Sequence, residues 1–461
     1  MTADFPLFVT TLSGMSGFIG DSDGDRFTAE FNYPKAVYLD PRNSSLLYVA
    51  DKNNYCIRRI DTNTGFTVTI AGICGLLGFK NGPSLQARFN LVEGIGVDME
   101  GSVIVADSGN FVLRKVTMQG QVTTFSGSGV QGFKDGVSQI AQYIFPCGMD
   151  LDKTTGNFIV ADGSNGNRVR LVSPNGTVAT IAGTGQTGSD DGPALESTFN
   201  WISDVKFSPD GGAIFIADDL NSRIRKLENG IVTTFAGSAG PGYRDGALSQ
   251  ARFYNGNGLA FDINGDLWFS DCWNHVIRKV SDGVMSTVAG IPNPQSSIDG
   301  IALKATFKNP GLVAMDKEAH RLYIADESFQ RIKVVCAAPC YNGGIYDCVY
   351  RTCTCTKYWV GPNCTDRFST TSRTRSIGML SSTNVKQPSM TVTATADLTT
   401  DRTSYSVIIA VLGGLFAISI CGFVALLLWK RRKMSLIPGP HITVKGKVSV
   451  YKLCLDLFSS R

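Results

Sequence analysis

Short apolar runs separated by Gly, Asp and Asn make up most of the first 335 residues. In residues 231–280, one run ends at Asp262, a second ends at Asp271 and a third begins near Val276. Each run has four to six residues of β-branched or aromatic character. This pattern is typical of short antiparallel strands joined by tight turns, and it predicts an all-β fold.

The same pattern recurs six times, at intervals of 53 to 59 residues. Each copy contains four predicted strands, and a single four-stranded sheet of this kind cannot bury both of its faces. The copies must therefore pack side by side around a common axis. Residues 1–335 are predicted to form a six-bladed β-propeller.

The two ends of the array support this count. The chain begins with a lone fourth-strand run, Val9–Ser13, and the array ends after a third-strand run at residues 331–335. Pairing these two runs would complete the last blade with strands from both ends of the array. The ring would then have no open sheet edge.

Three positions identify every copy. An aromatic residue follows the Asp-Gly turn as Phe31, Phe89, Tyr143, Phe199, Phe253 and Phe307. An aspartate closes the second run as Asp51, Asp107, Asp162, Asp218, Asp271 and Asp326. A basic residue lies in the third run as Arg58, Arg114, Arg170, Arg225, Arg278 and Lys333. A catalytic site needs different residues in different roles, so six similar copies favour a hydrogen-bonded pair inside each blade, with an Asn capping the turn.

The sequence motif "P-x-G-(apolar)-D … V-A-D-x-x-N-x-x-I-R-K" resembles the NHL repeat. The form with DGxxxxAxF before the first strand is similar to NHL propellers of teneurin-type ectodomains and of plant and algal thioredoxin–NHL proteins. The resemblance covers residues 7–335 and all six copies. Three copies depart from it, through Ser208 in blade 4, Phe329 in blade 6 and one extra residue after Asn165 in blade 3.

Residues 336–366 form a cysteine-rich segment with six cysteines. Its C-x-C pair, followed by Trp359 and a Gly-Pro-Asn-Cys sequence, resembles an EGF-like module. That resemblance implies the disulfides Cys336–Cys348, Cys340–Cys353 and Cys355–Cys364. A zinc site is the alternative, but the absence of a nearby histidine disfavours it. Two valines precede Cys336 where the calcium-binding subtype carries acidic residues, so calcium is not predicted here.

The remaining sequence predicts a single-span membrane protein. Residues 367–405 are rich in Ser and Thr and are expected to form a disordered stalk. Residues 406–429 are uncharged and long enough to cross a bilayer, and four cations follow at residues 430–433. The positive-inside rule then predicts a type I orientation, with residues 430–461 as a basic cytoplasmic tail and the propeller extracellular or luminal, at the plasma membrane or another secretory-pathway membrane.

The predicted disulfides agree with that oxidising location. Asn43, Asn175 and Asn363 begin glycosylation sequons, which fits the same compartment. No signal peptide is visible at residues 1–6, so we expect a signal sequence upstream of Met1.

Charge location bears on the choice of partner. The chain carries a formal net charge of +4, but the tail holds eight basic residues and one acidic residue, which leaves −3 for the rest. An RNA-binding function, as in TRIM–NHL proteins, would need a basic propeller face in the cytosol. The charge and the disulfides both oppose that alternative, and no nucleic-acid partner is predicted.

Positions that differ between the copies are the candidates for ligand binding. The residue before each first strand reads Lys35, Glu93, Cys147, Ser203, Asn257 and Pro310. This ring is expected to face the channel mouth, where propellers bind ligands. The candidate ligand-binding residues are therefore Lys35, Glu93, Ser203, Asp204 and Asn257. Among the other propeller cysteines, Cys56–Cys74 is the first choice for a bridge, and the pairing of Cys147 and Cys272 stays open.

Two functions follow as alternatives. The favoured one is a rigid extracellular scaffold that binds a protein or glycan ligand, with no catalytic residue and no cofactor. Several related six-bladed enzymes (lactonases, strictosidine synthase-like proteins and the peptide-amidating lyase) hold a metal at the channel. This likeness implies as the alternative a calcium-dependent hydrolase, lactonase or lyase that uses Glu93, Asn257 and Asp204. Carboxylates available for calcium are sparse, which disfavours an enzyme.

Overall fold

A computed structural model of the chain describes residues 5–237, 240–294, 296–318, 320–356 and 359–367. Six antiparallel sheets are arranged in sequence, and each has four main strands, counted here from the channel outwards. In blade 1 the strands are Pro34–Leu39, Leu46–Asp51, Cys56–Asp61 and Thr67–Ala71. In blade 2 they are Val92–Val97, Val103–Asp107, Val112–Val116 and Gln121–Ser126. In blade 3 they are Pro146–Leu151, Phe158–Asp162, Arg168–Val172 and Val178–Ala182. In blade 4 the strands are Ile202–Phe207, Ala213–Asp218, Arg223–Glu228 and Ile231–Ala236. In blade 5 they are Gly256–Phe261, Leu267–Asp271, Val276–Ser281 and Val284–Ala289. In blade 6 they are Pro310–Asp316, Arg321–Asp326, Arg331–Ala337 and Leu7–Ser13.

The predicted closure of the ring is confirmed. Leu7–Ser13 is the fourth strand of blade 6 and pairs antiparallel with Arg331–Ala337, with Val9 opposite Val335. The first three strands of that blade come from the end of the array and the fourth from its beginning. Every blade then has all four of its strands, and the strand pair formed from the two ends of the array closes the ring.

The segments between blades add a short outer strand to most sheets. Gly82–Pro83, Gly192–Pro193, Gly246–Ala247 and Gly300–Ile301 pair with the fourth strands of blades 2, 4, 5 and 6. Single bridges, Gly24 to Thr67 and Gly136 to Val178, take the same place in blades 1 and 3. The Asp-Gly turn of each copy therefore lies at the outer edge of the sheet that follows it.

The repeated Asp and Arg form the predicted pair inside the blades. Five arginines contact the second-strand aspartates at 2.7 to 3.0 Å, with both side chains fully buried. In blade 6 the corresponding atoms of Lys333 and Asp326 are 4.0 Å apart. The predicted asparagine cap is confirmed in four blades, where Asn54, Asn110, Asn221 and Asn274 donate to the aspartate.

The marker aromatic residues complete this arrangement. All six are buried in the clusters between blades, and four of them lie 5.0 to 5.2 Å beneath the guanidinium of their own blade. In four blades the Asp of the Asp-Gly turn contacts the other side of the arginine, as Asp23 does with Arg58 at 2.8 Å, and in blade 2 Asn81 takes this place. Each arginine is thus paired, hydrogen-bonded and stacked, which offsets the cost of burying its charge.

The cysteine-rich segment packs against the closing strand. It contains two small sheets, Ile345–Asp347 with Thr352–Thr354 and Trp359–Val360 with Asp366–Arg367. Cys336 already lies within the last propeller strand, one residue before that strand ends at Ala337. Phe8 lies 6.2 Å from Tyr346, and Arg26 contacts Asp347 at 2.8 Å.

The structure contains the bonds Cys336–Cys348, Cys340–Cys353 and Cys355–Cys364, the same pairing that the EGF-like resemblance implies. Cys340, Cys353 and Cys364 lie close enough for a metal site, but all three sulfurs are in disulfides. The zinc alternative is therefore not the arrangement found here, since zinc requires thiolates.

The segments predicted as stalk, membrane span and tail, residues 368–461, lie outside the described residues. Within the described ranges, no helix has the length and apolar character needed to cross a membrane.

Candidate binding face at the channel mouth

One end of the central channel is formed by the beginnings of the first strands. Lys35, Glu93, Cys147, Ser203 and Asn257 each occupy the second position of a first strand. In blade 6 that position is Gly311, because Pro310 pairs with Asp326 as Pro34 pairs with Asp51. The prediction of Pro310 for this ring was wrong by one residue, and the ring lies inside the strands rather than before them.

A second ring surrounds the same mouth and was missed by sequence reasoning. It consists of the residue after each second-strand aspartate, which begins the turn to the third strand: Lys52, Ser108, Gly163, Asp219, Cys272 and Glu327. The sequence contains a signal for this second ring, because the position varies between the copies whereas the aspartate before it is constant. Variable positions at the start of the first strand and after the second strand together mark the channel mouth.

Two ion pairs join the two rings. Lys35 Nζ lies 2.8 Å from Glu327 Oε1, which links blades 1 and 6. Lys52 Nζ lies 2.6 Å from Glu93 Oε1, which links blades 1 and 2. Burial alone would lower the pKa of Lys35, but the carboxylates of Glu327 and Glu93 raise it above its ordinary value. Burial raises the pKa of Glu327, and Lys35 opposes that shift.

Ser203 and Asp204 act between blades rather than in the mouth. Ser203 Oγ donates to the backbone oxygen of Asn257 at 2.9 Å. Asp204 accepts from the Leu259 amide at 2.9 Å and lies 3.3 Å from Lys206 Nζ. Burial raises the pKa of Asp204 to about 6, against the effect of Lys206.

The space for Asp204 comes from Gly148, where a Cβ would lie 2.3 Å from Asp204 Oδ1. A calcium site built from Glu93, Asn257 and Asp204 does not fit this arrangement. The carboxylate of Glu93 is bound by Lys52, and that of Asp204 is engaged with blade 5.

Asp219 differs from the other carboxylates of the mouth. It is 5% exposed, and its Oδ1 has no hydrogen-bond partner among the described residues. Burial raises its pKa to about 8, with Lys35 acting in the opposite direction. Asn257 Oδ1, in the next blade, is likewise buried without a described partner. Unsatisfied buried acceptors are rare in proteins and often mark functional sites.

The remaining cysteines of the propeller divide into two groups. Cys56 and Cys74 form a disulfide, as the sequence indicated. Cys147 and Cys272 are free, buried thiols that belong to the two rings of the mouth. Burial raises the pKa of both thiols well above the ordinary value, so they are protonated at neutral pH. A thiol in this state is a poor nucleophile.

Exposed apolar side chains surround the mouth on blades 3 to 5. Trp201 precedes the first strand of blade 4 and is 37% exposed, and Leu220 follows Asp219 and is 47% exposed. Trp273 follows Cys272, is 48% exposed, and lies 4.6 Å from the ring of Tyr254. Phe145 lies 6.2 Å from the ring of Trp201. The apolar rim defined by these five residues adjoins the charged part of the mouth, which belongs to blades 1, 2 and 6.

The backbone of the rim is held in an unusual conformation. Trp201 has a φ of 62°, a left-handed value that is uncommon for a bulky residue. Its amide donates to Asn167 Oδ1 of blade 3 at 2.8 Å, and its carbonyl accepts from the Asp219 amide at 3.0 Å. These contacts fix Trp201 against both neighbouring turns, so the indole is exposed on a rigid support.

The opposite end of the channel is open to solvent as well. It forms an opening of about 890 Å³ lined by the ends of first strands and the turns that follow, with Tyr38, Asp150 and Phe207 among its residues. Asn43 lies on this rim and is exposed. Asn175 is exposed on a turn between third and fourth strands at the same end, and Asn363 is exposed on the cysteine-rich segment.

Comparisons with known proteins agree on the repeat type. No protein-family model matches the chain. The chain is 27% identical over 283 residues to the Protein SUPPRESSOR OF QUENCHING 1, chloroplastic, of Arabidopsis thaliana, covering 58% of this chain and 26% of that protein. It is 25% identical over 339 residues to NHL repeat-containing protein 2 of Bos taurus, covering 66% and 46%. Teneurin-4 of Homo sapiens is 21% identical over 359 residues, covering 68% and 12%.

Together with the six closed blades, these relatives decide the repeat family. Residues 7–335 form an NHL-repeat β-propeller. The NHL propeller matches less than half the length of each of these relatives, so the similarity concerns this portion alone. A solved structure of a protein of unknown function from Bacteroides thetaiotaomicron shares the fold, with a TM-score of 0.56, 21% identity, and coverage of 72% of this chain and 76% of that one.

Proposed function

We propose that this chain is a membrane-anchored protein whose NHL propeller binds a protein partner through the apolar rim of the channel mouth. The observation that carries the proposal is the group of exposed aromatic side chains around Trp201 and Trp273. Aromatic residues are enriched at protein interfaces, where they provide large, rigid contact areas. A monomeric propeller gains nothing from exposing them unless another molecule covers them.

The position of the sequons supports this end of the channel. Asn43 and Asn175 both lie on turns at the opposite end, and Asn43 borders the opening there. Glycans at these positions would obstruct that opening and leave the apolar rim accessible. We therefore assign the partner to the rim.

The membrane anchor rests on the sequence and on the disulfides. The uncharged stretch at residues 406–429, with four cations after it, supports a single span with the propeller outside. Four disulfides among the described residues support an oxidising compartment. Protease protection tests the orientation: on intact cells that express the full chain, a protease should digest the propeller and leave an epitope after Arg461 intact. Digestion of the epitope, or protection of the propeller, would contradict it.

Binding can be tested with the full chain, labelled and tetramerised, on an array of purified extracellular proteins and on an array of glycans. We expect a saturable protein target and a loss of at least tenfold in affinity for Trp273→Ala, because truncation of a central aromatic anchor typically costs about 2 kcal/mol or more. Ile263→Ala is the matched control, since Ile263 is 58% exposed on the opposite rim of the same blade. A glycan target, or equal losses in both variants, would refute the proposal.

A further inference from the structure

The carboxyl of Asp219 is the least satisfied charged group of the channel mouth. The other two carboxylates there, Glu93 and Glu327, each contact a lysine within 2.8 Å. Asp219 is about as buried as Glu93, yet its Oδ1 has no described hydrogen-bond partner. A buried carboxyl in this state costs folding free energy, and a protein retains such a group where a ligand satisfies it.

Asp219 belongs to the second ring of the channel mouth. It lies on blade 4, and the charges that act on it most strongly beyond its neighbour Asp218 are those of Lys35 on blade 1 and Glu327 on blade 6. Blade 1 is on the far side of the six-bladed ring, so these charges act on Asp219 across the mouth. Cys272, from blade 5, lies within range of the same groups.

The hydrogen-bond acceptors and the charge of the mouth are complementary to a positively charged hydrogen-bond donor. Asp219 Oδ1 and Asn257 Oδ1 are both acceptors without a described partner, and a group with N–H or O–H bonds would satisfy them well. The two rings contain two lysines and three carboxylates, which gives −1 when Asp219 is ionised. Trp201 accepts a backbone hydrogen bond from Asp219 and Trp273 directly follows Cys272, and indole rings of this kind can favour cations.

We infer that the channel mouth binds an ammonium or guanidinium group, with Asp219 as its counter-ion and Asn257 as a second acceptor. This inference rests on the proposed function, in which the group is a Lys or Arg side chain of the protein partner that enters the mouth while the apolar rim packs around it. Calcium is a poorer occupant, because the lysines already bind two of the three carboxylates.

Binding of the cation is coupled to loss of a proton. The pKa of Asp219 is about 8, so its carboxyl is largely protonated at pH 7, and the bound cation favours the ionised form. The proton passes to solvent and the cation replaces it. The charged and titratable groups that act on Asp219 are Lys35, Asp218 and Glu327, and Cys272 lies nearby. Lys35 and Glu327 are paired with each other, and Asp218 is paired with Arg225.

The test is calorimetric titration of the full chain with Nα-acetyl-arginine amide, with agmatine as a free small cation and Nα-acetyl-norleucine amide as the uncharged control. The arginine probe should bind and the norleucine probe should not. Between pH 7 and pH 9 the affinity should rise about tenfold, because the ionised fraction of Asp219 rises from about one tenth to nine tenths. Tighter binding of agmatine than of the arginine amide would assign the site to free amines instead of a partner side chain.

Asp219→Asn should lower the affinity for the arginine probe at least tenfold at pH 9 and abolish its pH dependence. Asp210→Asn is the matched control, because Asp210 is exposed on the opposite rim of the same blade, and it should bind as the unmodified chain does. Equal binding by both variants, or a pH-independent affinity in the unmodified chain, would overturn the inference. So would tight calcium binding that Asp219→Asn abolishes.

The two proposals can fail separately. If the protein partner binds Asp219→Asn normally but not Trp273→Ala, the apolar rim is the docking surface and the inference about the cation is wrong. If the arginine probe binds through Asp219 and the array yields no protein, the cation site stands and the proposed function falls. Because Asn has nearly the same shape as Asp and cannot ionise, the variant is expected to fold, and its circular dichroism spectrum checks this.

Discussion

In blade 5, Arg278 Nη1 donates a hydrogen bond to Asp271 Oδ2 over 2.7 Å, and neither side chain is exposed to solvent. On its other side, Arg278 contacts Asp245 of the Asp-Gly turn at 2.7 Å, and that carboxylate is 48% exposed. One arginine thus joins the second strand, the third strand and the incoming turn of the repeat. Blades 1, 3 and 4 have the same arrangement, which explains why these residue types are repeated.

Removing one member of the buried pair should destabilise the propeller strongly. We expect Arg278→Met to lower the free energy of unfolding by about 3–5 kcal/mol, because Asp271 is left buried without a counter-ion. Asp245→Asn, at the exposed end of the same arginine, should cost no more than about 1 kcal/mol. Urea denaturation of the two variants checks this, and equal losses would show that burial does not set the strength of the pair.

Weakening the closing strand should open blade 6 locally. Leu12 is fully buried in the cluster beneath blades 1 and 6, so Leu12→Ala should cost about 2–5 kcal/mol. Amide hydrogen exchange should accelerate in Arg331–Ala337, its pairing partner, more than in the strands of blade 3. Phe5→Ala serves as control, because Phe5 is 43% exposed and precedes the strand. Uniform acceleration in every blade would contradict a local opening at the closure.

The Cys336–Cys348 disulfide should protect the closing strand. It spans 12 residues and ties the last propeller strand to the segment that packs on Phe8 and Thr10. Replacing both cysteines with Ala should cost about 3 kcal/mol and increase hydrogen exchange in Leu7–Ser13.

Replacing Cys355 and Cys364, whose bond spans 9 residues, is the matched control. Their bond lies in the cysteine-rich segment alone, so exchange in the closing strand should stay unchanged. If both double variants expose Leu7–Ser13 equally, the Cys336–Cys348 bond has no special role in the closure.

Asp219 should make the propeller less stable as the pH rises. An unfolded Asp titrates near pH 4, whereas the folded-state pKa of Asp219 is about 8, so between these values the folded state holds the extra proton. Its contribution to the free energy of unfolding therefore falls by up to about 1.4 kcal/mol per pH unit across that window. Asp219→Asn removes this loss, and the variant should exceed the unmodified chain in stability at pH 8 but match it near pH 4.

Urea midpoints measured from pH 4 to pH 8 compare the two proteins directly. Asp210→Asn should show a difference of opposite sign, because hydrogen bonds from Ser208 lower the pKa of Asp210. A constant difference between Asp219→Asn and the unmodified chain at every pH would show that the Asp219 carboxyl is not protonated in the folded state.

The sequence by itself determined the repeat, the number of blades and the closure. These features depend on strand periodicity and on residue types that recur at fixed spacing, such as Asp271 and Arg278, and both are local properties of the chain. The pairing of the late cysteines followed from the likeness to a known module. The strand pattern of the repeat can be predicted from the sequence because six copies contain the same residue types at the same positions.

Only the tertiary structure decided which residues meet at the channel mouth. Glu327 and Lys35 lie 292 residues apart in the sequence and become neighbours because the ring closes. Asp219 acts across the axis on groups from other blades, and Asp204 turns into the space that Gly148 leaves. The shift from Pro310 to Gly311 depended on the register of one strand pair. Contacts between blades arise from the ring geometry, and no single repeat contains that information.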